Sequence, residues 1–235
     1  MQDLERYSVI SGALPREIVL LRGCGCSWGR CTFCDYHLDK SSSQSENFAL
    51  NRQVLRRVTG EFRHLEVINS GSFCELDSET MALLEQLCRE KEIKTMHFEC
   101  HWMHRDKIPA LRERFAACGA SVRVRLGVET FDNEFRENTL HKGIPEHNPE
   151  RIAQGFDECN LLFGLNGQTL QSMQYDLETG LRCFDRLYVN LMTPNSAPLQ
   201  PDPAVCGQFV HELYPVYKNH PRIDILLKNT DFGVG

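Results

Sequence analysis

Along this chain, short apolar runs rich in β-branched residues alternate with longer stretches whose apolar positions recur every three or four residues. The first kind predicts strands at residues 17–22, 65–69, 95–99, 122–128, 160–165, 186–191 and 223–227. The second kind predicts helices at 51–62, 78–91, 106–118, 149–156, 170–183 and 203–217. Ser78 and Thr169 stand where helix N-caps are expected. The runs at 65–69 and 160–165 are short and bounded by Gly or Asn, which suits strands buried in a parallel sheet. Repeated strand–helix units require a parallel sheet with helical crossovers. Their unbroken succession predicts an α/β fold of the partial-barrel kind, with a doubly wound open sheet as the alternative. The polar loop at 41–45 and the proline-rich loop at 194–203 do not read as boundaries, so residues 1–235 are expected to form a single domain. In such sheets function gathers at the carboxyl ends of the strands, which directs attention to the residues after each one.

Composition narrows the class. A 41% hydrophobic content is enough for a sizeable core. No apolar stretch reaches the length of about eighteen residues that a membrane-spanning helix needs. The polar start, Met1 to Tyr7, lacks the apolar run of a signal peptide, so a cytoplasmic location is expected. The 26 basic residues are outnumbered by 32 acidic ones, which argues against a nucleic-acid partner held through its phosphates. In a cytoplasmic chain the 11 cysteines are thiols, metal ligands or redox groups rather than a disulfide framework. Cys88, Cys118 and Cys183 lie among apolar neighbours, as small buried hydrophobes do.

Four cysteines crowd residues 22–34, Arg-Gly-Cys-Gly-Cys-Ser-Trp-Gly-Arg-Cys-Thr-Phe-Cys, directly after the first predicted strand. Three thiolates in one tight loop can hold three irons of a cubane cluster. Gly25, Ser27 and Gly29 let the backbone turn sharply and point amides at sulfur. A zinc site would use Cys31 and Cys34 with Cys24 or Cys26. A redox dithiol would use Cys31 and Cys34 alone. The chain has no second C-x-x-C pair, which zinc ribbons usually carry.

Later strand ends add to the pattern. The second predicted strand runs into Asn69-Ser-Gly-Ser-Phe73, and the third ends at Glu99-Cys-His101. The fourth reads Val124-Arg-Leu-Gly-Val-Glu-Thr130, followed by Asn133, Arg136 and Lys142-Gly143. The fifth leads into Leu162-Phe-Gly-Leu-Asn-Gly-Gln-Thr169. In this order the segments resemble the radical S-adenosylmethionine (SAM) superfamily, especially its Elongator-like and archaeosine-synthase-like branches. Two departures stand out: the cysteine spacing is C-x4-C-x2-C where C-x3-C-x2-C is usual, and Asn166 replaces a common proline. The resemblance implies a partial (β/α)6 TIM-like barrel of the radical SAM type. It also implies a [4Fe–4S] cluster on Cys26, Cys31 and Cys34, with Cys24 as an alternative first ligand. SAM would be held by Asn69, Ser70, Gly71, Ser72, Glu99, Arg125 and Glu129, with Phe33 lining the adenine pocket.

Within the superfamily, the chain most resembles the queuine lyase subgroup of bacterial queuosine salvage. The cysteine loop continued by Cys-Asp-Tyr-His37, the turn at 69–73, Glu99-Cys-His-Trp102 and Val189-Asn-Leu-Met-Thr-Pro194 carry that likeness. It implies radical cleavage of the C–N bond of free queuine, releasing 7-aminomethyl-7-deazaguanine (preQ1). Tyr36, His37, His101 and Asn190 are the candidate partners of the deazaguanine ring, whose edge asks for both donors and acceptors. The chemistry would need an external electron donor such as flavodoxin or ferredoxin. The alternatives are an Elongator-like or archaeosine-synthase-like enzyme acting on another small molecule or on tRNA, and a non-catalytic metal-binding module.

Overall fold

The computed structural model describes residues 4–228, the His37 side chain excepted. Its described residues form two compact units, 4–29 with 36–124, and 30–35 with 125–228.

The first unit holds β1 (Tyr7–Ile10), β2 (Arg16–Leu21), α1 (Gln44–Leu55), β3 (His64–Asn69), α2 (Ser78–Glu90), β4 (Thr95–Glu99), α3 (Ile108–Ala116) and the first half of β5 (Ser121–Glu129). Its strands lie side by side in chain order, β1 antiparallel to β2 and β2, β3 and β4 parallel. The second unit holds the rest of β5, then α4 (Pro149–Ile152), β6 (Glu158–Phe163), α5 (Leu170–Cys183), β7 (Arg186–Leu191), α6 (Pro203–Gln208), α7 (Tyr214–Tyr217) and β8 (Ile223–Leu226). Here too the parallel strands follow chain order. A doubly wound sheet needs a point where strand order reverses. Neither unit has one, so the topology is of the barrel kind.

The strand pleat sorts side chains into two rows. In the first unit Val19, Val67, Met96 and Phe98 form an apolar row, and Phe98 packs its ring on Phe115 of α3 at 5.3 Å. The other row sets a buried Arg16–Glu66 ion pair, with His97 beside Glu66 in register, next to the apolar Ile18 and Leu20. The second unit repeats the scheme with Arg125–Glu158 and Arg186–Asp224. β2 is buried at all six positions, which is why it reads as a near-continuous apolar run.

Several expected boundaries move. The first helix spans Gln44–Leu55, not 51–62, because Ser43 caps it by accepting from the Glu46 amide. The first half of its inner face is polar and escapes apolar periodicity: Asn51 bonds both backbone groups of Arg22, and Asn47 accepts from the Arg22 guanidinium. α1 thereby fixes the point where β2 becomes the cysteine loop. The cap of α2 is Asp77 rather than Ser78, accepting from Thr80 N at 2.7 Å. Thr169 caps α5 as expected. The stretch 203–217 is helical but changes pitch, with a π-segment at Phe209–Leu213 before α7, whose second residue, Pro215, has no amide to donate. The short edge strand β1 was not among the expected strands, its four residues being too few to stand out as a run. Among the described residues no helix is long and apolar enough to cross a membrane.

Candidate active site

Residues 23–29 belong to the first unit and are tied down by its own groups. Cys24 N donates to the Glu75 carbonyl at 3.2 Å, and Ser41 N donates to that of Gly23. Gly25 and Gly29 have φ of +101° and +57°, which glycine adopts without strain. Gly29 N donates to Cys26 Sγ at 3.4 Å, whereas the Cys24 thiol donates to the Glu75 carbonyl.

The turn after β3 packs on this segment. Asn69 donates through Nδ2 to the Ser72 carbonyl, while its Oδ1 is buried without a partner. Ser70 Oγ donates to the Asp39 carbonyl. Ser72 Oγ accepts from His101 N at 2.9 Å, joining this turn to the end of β4. Between turn and loop lies Glu75, a buried carboxylate that sequence reasoning missed. Its Oε1 accepts from Ser27 N at 2.5 Å and from the Ser27 hydroxyl, and its Oε2 accepts from Ser72 N at 2.5 Å. The signal was present: Ser72-x-x-Glu75 is a capping box. Glu99 ends β4 half-buried. His101 stacks on Trp28 with ring centroids 5.4 Å apart, and its Nδ1 accepts from Met103 N. Tyr36 begins a short 3-10 turn, half-buried, and the neighbouring His37 side chain lies outside the described residues.

Residues 30–35 belong to the second unit. Thr32 donates from its amide to the Leu140 carbonyl and from its hydroxyl to that of Thr139. Asn195 donates to the Phe33 carbonyl at 2.9 Å, and Ser196 donates twice to Asp35. Cys31 and Cys34 are half-buried and form no disulfide, and Phe33 packs against Leu140, Leu162, Leu165 and Met192.

At the end of β5 the backbone bulges, and Glu129 takes φ of +69°, a conformation costly for a non-glycine residue. Its buried carboxylate meets Lys142 Nζ at 2.8 Å. A Cβ on Gly127 would lie 2.8 Å from that ammonium, so the glycine makes room for the pair. Burial alone would lower the pKa of Lys142. The Glu129 carboxylate and the Cys31 and Cys34 sulfurs outweigh burial and raise it. Lys142 Nζ also lies 5.5 Å from the Phe33 ring. The loop that returns Lys142 is knotted by the fully buried Arg136, which donates to Asn133 Oδ1 and to the carbonyls of Thr130, Ile144 and Glu146. Arg136 and Lys142 lay inside a motif read from the sequence, but their work was not legible there.

Arg125 does not share the strand end with Glu129. It sits four residues earlier, paired with Glu158 at 3.4 Å and lying over the Tyr188 ring. Asn190 is half-buried, one residue from the end of β7. Cys88, expected as a small buried hydrophobe, is buried, and burial pushes its thiol up to about 12. Cys118 and Cys183 are only partly buried. Among the described residues no three His, Cys, Asp or Glu side chains converge as a single-ion site requires. The cysteines of a cubane face one cluster but each bind a separate iron, so their sulfurs stand farther apart than the ligands of a single ion.

No protein-family model matches the chain, and no curated protein does. Among solved structures it is similar to the queuine lyase from Clostridium spiroforme bound to SAM and queuine. That match has 41% sequence identity and a TM-score of 0.94, over 99% of this chain and 100% of that one. Streptococcus suis SuiB bound to S-adenosylmethionine aligns with 88% of this chain at 11% identity and a TM-score of 0.51, a likeness of fold alone. SuiB bound to the precursor peptide SuiA gives 12% identity and a TM-score of 0.54. The α/β fold is that of the partial radical SAM barrel, and with two-fifths of its residues shared over the full length of the lyase, this chain belongs to the queuine lyase family.

Proposed function

We propose that the protein is a radical SAM lyase that cleaves the C–N bond between the cyclopentenediol and the aminomethyl group of free queuine, releasing 7-aminomethyl-7-deazaguanine. The observation that carries this is the full-length match to a queuine lyase bound to SAM and queuine. The 235 residues act as one radical SAM domain, in the reducing cytoplasm where the cysteines stay thiols.

The residues present fit a [4Fe–4S] cluster and SAM. Cys26, Cys31 and Cys34 hold the cluster. The amide of Gly29 pointing at Cys26 Sγ is the kind of donor that stabilises a ligating thiolate, and it supports Cys26 over Cys24 as first ligand. Lys142 places an ammonium near the Cys31 and Cys34 sulfurs, a charge complementary to ligating thiolates. The unpartnered Oδ1 of Asn69 is an acceptor suited to the ammonium of SAM. Ser70, Ser72 and Glu99 offer further polar groups at the same strand ends, and Glu129 offers a carboxylate fixed by Lys142. A bound, reduced cluster would supply one-electron reducing power beside SAM, the source of the radical chemistry. The chain's own groups position the cofactor and exclude water. Half-buried Asn190, Tyr36 and His101 are the deazaguanine partners, and a flavodoxin or ferredoxin supplies the electron.

The test is anaerobic incubation with SAM, a reductant and queuine, followed by mass spectrometry. The aminomethyl-deazaguanine is the expected product. SAM cleavage with a different deazaguanine and none with queuine would move the protein to the archaeosine-synthase-like alternative.

A further inference from the structure

Glu75 accounts for an arrangement that the cysteine motif leaves unexplained. The first cluster ligand and the turn after β3 come from segments some forty residues apart, yet one carboxylate binds both. We infer that Glu75 is a positioning residue that fixes Cys26 against the turn at 69–72, so that the cluster and SAM are met by one preset geometry. The inference rests on the proposed roles of Cys26 and of that turn.

The hydrogen bonds make the link explicit. Oε1 takes the amide and hydroxyl of Ser27, the residue after Cys26. Oε2 takes the amide of Ser72. The Glu75 carbonyl takes the amide of Cys24, so the segment is held on both sides of Cys26. A capping box alone would explain the bond to Ser72 but not those to Ser27 and Cys24. His104 Nε2 lies 3.8 Å from Oε1 and 3.0 Å from Ser27 Oγ, closing the network from the turn after β4.

Space gives the same answer. A Cβ on Gly71 would overlap the Glu75 carboxylate and come within 3.1 Å of the Cys26 Cα. A Cβ on Gly23 would lie 2.7 Å from the Glu75 carbonyl oxygen. Both glycines are therefore smooth because Glu75 and the loop occupy the space. Gly71, expected among the residues that hold SAM, is thus required first by the packing of Glu75 and Cys26.

The chemistry of the side chain matters as much as its reach. Each carboxylate oxygen faces an amide N–H, so both must accept. Glutamine has the same size, but one of its two terminal atoms is a donor. Glu75→Gln must then set N–H against N–H at either Ser27 or Ser72, releasing one of the two segments.

The experiment uses the full chain with its cluster reconstituted. Iron content, SAM affinity by equilibrium dialysis, and the electron paramagnetic resonance spectrum of the reduced cluster with and without SAM are measured for wild type and Glu75→Gln. Expected are full iron, SAM affinity weakened about tenfold, and a blunted spectral response to SAM. KM for SAM should rise while kcat at saturating SAM changes little. A folded, iron-loaded Glu75→Gln protein with wild-type SAM affinity and spectra overturns the inference. If Glu75→Gln loses iron or does not fold, Ser27→Ala decides, since it removes only the hydroxyl bond. A SAM affinity lowered about two- to threefold supports the role, and an unchanged affinity overturns it. A wild-type protein that binds neither iron nor SAM would instead bring down the cofactor assignment itself, and Glu75's role with it.

Discussion

Glu75 and Glu129 are both buried carboxylates at or past the carboxyl end of a strand, one in each compact unit, and they are satisfied in opposite ways. Glu75 is held by backbone amides and a hydroxyl, all within reach of short turns. Glu129 is held by an ammonium that a loop must bring back from thirteen residues away. An amide-held carboxylate asks only for local backbone shape. An ion-paired one depends on the whole loop, and here that loop depends on Arg136. Asp176 on α5 adds a third environment. It accepts from Phe131 N at 2.6 Å, but burial outweighs that bond and raises it to about 7.

These differences can be tested in order of effect. The largest loss comes from the thiols themselves: Cys31→Ala or Cys34→Ala should lose the cluster and all SAM cleavage, read by iron content and visible absorption. A full cluster in Cys31→Ala would contradict the ligand assignment. Next, Lys142→Met leaves Glu129 buried without its cation. Breaking such a pair costs about 3–5 kcal/mol, to be read from urea unfolding of the metal-free chain. A loss below about 1 kcal/mol would mean that the pair behaves like a solvated surface bridge.

The third effect is a pH dependence. Asp176 rises from its ordinary 3.8 to about 7 on folding, so the folded chain holds its proton more tightly than the unfolded one. Its contribution to stability is fully present below pH 3.8 and is lost as pH rises through about 7. Asp176→Asn should flatten that part of the stability profile, and an unchanged slope between those limits would remove Asp176 as its source. The smallest effect is expected from Cys24→Ala, which should keep most of its iron, because the Cys24 thiol is turned to the Glu75 carbonyl. If Cys24→Ala loses iron and Cys26→Ala keeps it, the first ligand is Cys24.

The same contrast explains what the sequence disclosed. Strand order and the cysteine loop were legible because buried parallel strands and clustered thiols leave strong local patterns. Lys142 was visible as part of a motif, yet its pairing with Glu129 depends on a loop closed by Arg136, which no periodicity describes. Glu75 was overlooked because its capping box starts a single 3-10 turn rather than a long apolar helix. The first helix was placed too late for a related reason, since the first half of its inner face is Asn47 and Asn51, whose contacts are polar. Arg125 shares a segment with Glu129 in sequence, but the strand carries it four residues away from the end.

The proposed substrate is the free base. The chain's 26 basic residues against 32 acidic ones suit a small heterocycle in a shaped pocket better than a polyanion gripped through its phosphates. The most direct measurement supplies queuine and queuosine-containing tRNA in separate anaerobic reactions, each with SAM and reductant, over a range of salt. The expected result is aminomethyl-deazaguanine from the free base alone, at a rate that changes little with moderate salt. Product from the tRNA with none from queuine, falling steeply as salt rises, would contradict it.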